Sequence, residues 1–252
     1  MTPHTVIHLL DQLESDIRYN TPPDDGQEPF RYTPGTLPVL LSAPHGAAHW
    51  RKGRYKDEDE YTAAIVRLLG QRTGAHILYT WARSDSDPNW DRHSPYKETL
   101  RQIAGEQDIG FVLDLHGMSN RHKFGVAVGT MRGRSCPEQM GLVIDTLQQQ
   151  GFRPISAQEA RAFSTLQWDR YVVDHKRFAG GLTNHTVTRF ASEELRIASV
   201  QLELCSSLRA ARRLSRSRSS AEGAAAIAHI IRTLELLVAA LAESVSAASQ
   251  IS

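Results

Sequence analysis

Apolar residues along the chain fall into two alternating rhythms. Continuous or every-second-residue runs occur at Leu37 to Ser42, His76 to Trp81, Gly110 to Leu115, Phe124 to Gly129 and Ala198 to Leu204, and these predict strands. Between them, "EYTAAIVRLLGQRTG" places Ala64, Ile65, Leu68 and Leu69 on one helical face and ends at Gly74. "SPYKETLRQIAGEQ", with Pro95 in its first turn, and "PEQMGLVIDTLQQQG" repeat the device. Strands alternating with helices of this length pair in parallel through crossovers. The expected fold is therefore an α/β three-layer sandwich, a central mixed, mostly parallel sheet with helices on both faces.

The C-terminal stretch 220–248 carries Ile227, Ile230, Ile231, Leu234, Leu237, Leu241 and Val245 at three-and-four spacing. That stripe predicts a helix packing on the chain's own sheet, and the charges at His229, Arg232 and Glu235 argue against a membrane span. "RRLSRSRSSAEG", residues 212–223, reads as a solvated loop before it. With 252 residues the chain suits one domain spanning 1–252. A net charge of +1 gives no pull toward nucleic acid. Cys136 and Cys205 stand in unrelated contexts, which excludes a disulfide framework and fits a cytoplasmic protein. The N-terminus lacks the basic and apolar regions of a signal peptide.

Candidate chemistry gathers at the ends of strands. "LLSAPHG" and "FVLDLHG" close alike, putting His45 and His116 at the carboxyl edge of the sheet, where open α/β sheets bind ligands. Gly46 and Gly117 are expected to turn the chain and leave room beside the imidazoles. Two histidines and one carboxylate form a standard hydrolytic zinc set, and the acids Asp57 to Glu60 open the next helix. Asp114, two residues before His116, shares its face and is placed either to approach the site or to orient a ligating imidazole. Glu203, alternating with Gln201 in an apolar strand, must meet a polar cavity or a partner. His49, His93 and His122 read as surface histidines. No G-x-S-x-G pentapeptide is present, so a serine-esterase reading of "PHGA" falls away.

The motifs "SAPHG", "DEDEYTAAI", "WARSDSDPNWD", "VLDLHG", "RFAGGLT" and "VQLEL" follow one another, over roughly residues 37 to 213, in the order of the N-formylglutamate amidohydrolase family, which the chain resembles. That resemblance implies the zinc carboxypeptidase and aspartoacylase type of fold and one zinc ion held by His45, His116 and an acid from Asp59 or Glu60. Glu60 is favoured because it directly precedes "YTAAI". The resemblance further implies Glu203 as general base and Arg83 as the group that polarises the scissile carbonyl. Asn89 is retained in "DPNWD", but Trp90 stands where relatives carry the arginine that clamps a substrate carboxylate; Arg92 and Arg121 are the candidates to replace it. Gly180 and Gly181 are candidates for a loop over the pocket. The implied activity is hydrolysis of an N-formyl or N-acyl amide bond in a small amino-acid-derived substrate. A small peptidase or cyclic-amide hydrolase, or a non-catalytic scaffold, are the alternatives, and self-association stays open.

Overall fold

A computed structural model describes residues 1–212 and 220–249, so most of the expected solvated loop falls outside the described residues. In chain order the strands are β1 (Phe30–Thr33), β2 (Leu37–Ala43), β3 (His49–Arg51), β4 (Arg54–Lys56), β5 (Ala75–Thr80), β6 (Phe111–Met118), β7 (Phe124–Gly129), β8 (Arg153–Pro154), β9 (Gln167–Val173) and β10 (Ala198–Cys205). The α-helices are α1 (Pro3–Glu14), α2 (Thr62–Thr73), α3 (Pro95–Glu106), α4 (Met140–Gln149), α5 (Ala157–Ala162), α6 (Val187–Arg189) and α7 (Ser220–Ser249).

Eight strands form one sheet in the order β1-β5-β2-β6-β10-β7-β9-β8, and β3 pairs with β4 in a separate hairpin. The β1–β5 and β10–β7 pairs are antiparallel and the other neighbours in the large sheet are parallel. This is the expected mixed, mostly parallel sheet. On one face Val39, Leu41, Leu113, Leu115, Val200 and Leu202 meet α1, α2, α4 and α7. On the other, Leu40, Leu78 and Val112 pack with Tyr96, Leu100 and Ile103 of α3 and with Phe190 beyond α6. Because both faces are covered, the central strands read as nearly unbroken apolar runs.

The polar exceptions all lie on the α3 face. Residues two apart share a face of a strand, so Asp114 and His116 on β6 fall beside Gln201 and Glu203 on β10. The parallel register pairs Gln201 with Asp114 and Glu203 with His116. That pairing also carries β6 past Leu115 to Met118, so His116 stands inside the strand rather than just after it.

Helix α2 begins two residues later than the acidic run suggests. Tyr61 occupies the left-handed region at φ 66°, and its N–H donates to Glu14 at 2.5 Å before the helix opens at Thr62. Helix α7 is long and apolar enough to cross a membrane by length and composition. Its stripe from Ile227 to Val245 is instead buried against α1, α2, α4 and β2.

The two glycines after the site histidines serve tight packing, not turns. Neither Gly46 nor Gly117 has a positive φ. A Cβ on Gly46 would overlap the Thr80 carbonyl oxygen and come within 2.8 Å of the Ala63 methyl, while one on Gly117 would meet the Arg209 guanidinium at 2.5 Å. We expect Gly46→Ala to lower stability by about 1–3 kcal/mol through overpacking. Gly105→Ala in α3, where an added methyl meets nothing within 4 Å, should raise it by about 0.5–1 kcal/mol. Urea denaturation of both variants checks the pair.

Candidate metal centre

The centre is assembled where β2 ends. The Thr80 hydroxyl donates to the Pro44 carbonyl at 2.8 Å, and His45 follows immediately. The chain then makes the β3–β4 hairpin and returns, the Asp59 N–H donating to the His45 carbonyl at 2.8 Å. This return sets one carboxylate oxygen, Asp59 Oδ2, 3.5 Å from His45 Nδ1 and 3.2 Å from His116 Nδ1. The two imidazoles are 4.8 Å apart and nearly perpendicular.

Each ring is held from behind. Asp87 Oδ1 lies 2.9 Å from His45 Nε2, and the same oxygen accepts the Asn89 N–H at 2.8 Å. Asp114 Oδ2 lies 3.3 Å from His116 Nε2. Asp114 is itself fixed by the hydroxyls of Ser42 at 3.0 Å and Thr188 at 3.1 Å. Asn89 Nδ2 lies 2.8 Å from His116 Nε2, and its Oδ1 accepts the Val187 N–H at 2.8 Å. The Asp87 acceptor behind His45 favours the tautomer whose Nδ1 lone pair faces Asp59, whereas His116 Nε2 lies between the Asp114 carboxylate and the Asn89 amide donor.

Burial opposes charge on both histidines, yet the surrounding carboxylates raise them above the ordinary value: Asp87 and Asp59 for His45, Asp114 and Asp59 for His116. Positive charge is thus favoured between the three donors, which lie within 4.8 Å of one another. Two imidazole nitrogens and one carboxylate oxygen, each other nitrogen already supported, fit a divalent cation such as zinc.

A second donor set, His45, His49 and Asp87, lies on the far side of His45. There Asp87 is already bound by the Arg51 guanidinium, whose charge opposes a cation. His49 stacks on His45 with ring centroids 3.8 Å apart, and burial, then the neighbouring His45, pushes it down to about 3. Asp87 is fully buried and held well below the usual carboxylate range, burial being outweighed by His45, His49 and Arg51. This second set is the support of the first.

Glu203 completes the floor of the cavity. Its Oε1 accepts from Gln201 Nε2 at 2.7 Å, and burial pushes its carboxyl up to about 7, Asp59 adding to the rise while His116 and His45 oppose it. No arginine forms an ion pair with it among the described residues.

The carboxylate between the imidazoles belongs to Asp59, whereas Glu60 was favoured from sequence. Glu60 points the other way: its carboxylate pairs with Arg212 and its carbonyl accepts from Arg209. Asn89 and Gly181 line the cavity of about 310 Å³ above the donors, Gly181 at φ 113°. Arg83 does not line it; its guanidinium donates to the Asn20 carbonyl at 3.3 Å and lies over the Tyr55 ring. Trp90 is exposed under the Lys52 ammonium, Arg121 bonds Ser119, and Arg92 opens onto a separate cavity. The cations that do line the site cavity are Arg51, Lys56, Lys176 and Arg177. His49 is buried, not a surface residue, while His93 is exposed. His122 is half-buried beside His175 and Phe178.

Asp87 carries little local signal of its supporting role, since Asp85 and Asp91 flank it within the same motif.

No protein-family model matches the chain, and no curated protein matches it. Solved structures do. The chain superposes on a gene product from Agrobacterium tumefaciens with a TM-score of 0.50 and 13% identity, over 88% of this chain and 97% of that one. The N-formylglutamate amidohydrolase of Ralstonia eutropha JMP134 gives a TM-score of 0.47 and 15% identity, over 87% of this chain and 99% of that one. A bacteriophage poly-gamma-glutamate hydrolase gives 0.45 and 14%, over 85% and 88%. The likeness is one of fold. The site rests on its own geometry.

Proposed function

We propose that the chain is a metal-dependent hydrolase, with zinc held by His45, Asp59 and His116, that cleaves the amide bond of a small, anionic, N-acylated amino-acid derivative. The observation that carries this reading is the convergence of His45 Nδ1 and His116 Nδ1 on one Asp59 oxygen, at 3.5 and 3.2 Å, beside a buried Glu203. Bound there, zinc supplies Lewis acidity, which brings the pKa of a water down to about 7 and polarises a carbonyl.

The chain's residues supply the rest. Gln201 anchors Glu203 Oε1, so Oε2 is the atom that takes a proton from water and later delivers it to the leaving amine. Asp87 and Asp114 hold the two imidazoles against rotation. Arg51, which lines the cavity, takes the electrostatic role first ascribed to Arg83, its position fixed by Asp87. The direct test is metal analysis of protein purified without chelator. One zinc per chain, with N-acyl amino acid hydrolysis lost on chelation and restored by zinc, is expected; hydrolysis that survives complete chelation overturns the proposal.

Substrate charge follows from the rim. Lys176 and Arg177 line the cavity and ion-pair with no carboxylate among the described residues, whereas Arg51 is already paired. Replacing both by Ala should raise KM for carboxylate-bearing substrates about tenfold or more, the loss of one charge-assisted contact of about 1.5–3 kcal/mol. KM for an uncharged amide analogue should stay unchanged, and steady-state kinetics on the two substrates reads the difference.

A further inference from the structure

Behind the catalytic cavity, in the first turn of α3, Lys97 is fully buried. Burying an ammonium without a counter-ion is costly. Its Nζ donates to the backbone carbonyls of Asp91 at 2.6 Å and His185 at 2.5 Å. An ammonium has three donors, and among the described residues the third meets no acceptor, the Phe190 ring lying 5.7 Å away.

None of the acids near it bonds its ammonium directly. The Asp91 carboxylate accepts the Asp87 N–H at 2.8 Å, Glu194 bonds Arg101 at 3.1 Å, Asp87 holds His45 and Arg51, and Asp114 holds Ser42 and Thr188.

Lys97 opens onto a cavity of about 310 Å³ walled by Arg92, His185, Arg189, Phe190, Glu193 and Glu194. Glu193 is bound by Arg189 at 2.7 Å, and Arg92 forms no ion pair among the described residues. Lys97 and Arg92 are thus the two cations of the cavity with no direct ion-pair partner among the described residues, the carboxylates around Lys97 acting on it at longer range. His185, on the same wall, is held below its ordinary value by burial, then Arg189, Lys97 and Arg92, against the pull of Glu194.

We infer that this cavity binds a small inorganic oxyanion between the Lys97 ammonium and the Arg92 guanidinium. A water molecule can fill the third N–H of Lys97 alone, whereas an oxyanion accepts from Lys97 and Arg92 together. The site would tie together the two connections that wall the catalytic cavity, residues 81–94 and 174–186, because Lys97 already bonds a carbonyl from each. Burial lowers Lys97 to about 8, against the pull of Glu194, Asp87, Asp91 and Asp114. Anion affinity should accordingly fall as pH rises through that value. The inference stands apart from the hydrolase reading and needs no turnover to test.

Sulfate is a suitable probe because its charge is constant across this range. Titration calorimetry at matched ionic strength in chloride should show one saturable site near pH 7, weakened at pH 9. Arg92→Ala, an exposed position expected to fold, should weaken it at least tenfold, and Lys97→Met should abolish it. The Lys176→Ala/Arg177→Ala double variant should leave it unchanged. Absence of saturable heat in the native chain, indifference to Arg92→Ala, or loss in the double variant overturns the inference, the last by moving the anion to the catalytic cavity.

Discussion

Glu203→Gln should bind zinc like the native chain and lower kcat by about 10²–10⁴-fold, the usual contribution of a positioned acid–base group. Gln is isosteric with Glu and keeps an oxygen that can accept from Gln201, so the hydrogen bond made at 2.7 Å need not be lost. What disappears is the ability to take up a proton. The substitution also removes a buried carboxyl that packing already pushes up to about 7, so folding stability should not fall near neutral pH. Equal zinc content with a collapsed kcat and little change in KM is the expected signature. Native kcat in this variant would place the base elsewhere.

The second large effect separates two adjacent acids. Asp59→Ala should reduce zinc affinity by more than 100-fold, beyond the roughly 10–100-fold typical of losing an outer supporting group, and activity should fall with it. Glu60→Gln should keep zinc and activity. Loss of the Arg212 pair, whose arginine side chain is 51% exposed, is expected to cost about 1 kcal/mol or less. Asp87→Asn, which weakens the support of His45, should fall between them at about 10–100-fold in zinc affinity. Zinc titration against a competing chelator orders the three. The opposite order for Asp59 and Glu60 would return the ligand to the residue first favoured from sequence.

The central strands were legible because they are long, apolar and covered on both faces: β7 falls on the expected residues, and β2, β5, β6 and β10 overlap theirs. The edges were not. The β9 segment, "QWDRYVV", mixes charged and aromatic residues, and β1, β3, β4 and β8 are two to four residues long. Strands this short are held by neighbours rather than by their own pattern. Helix starts shifted for a related reason: Tyr61 adopts a left-handed backbone because Glu14, distant in sequence, takes its N–H.

For the site, local spacing was enough to nominate His45, His116, Asp114 and Glu203, since a strand period of two puts polar residues in an apolar run on a single face. Sequence by itself also determined the sandwich, through the alternation of two apolar periods. Only the tertiary structure shows that the Asp59 carboxylate, and not that of Glu60, lies between the two imidazoles, because consecutive side chains leave the backbone in different directions and the Asp59 N–H bonds the His45 carbonyl. It alone brought Asp87 behind His45, across a hairpin and a helix, and placed Arg83, Trp90, Arg92 and Arg121 away from the cavity that the resemblance implied for them. Those outcomes depend on where distant segments pack, which no local period encodes.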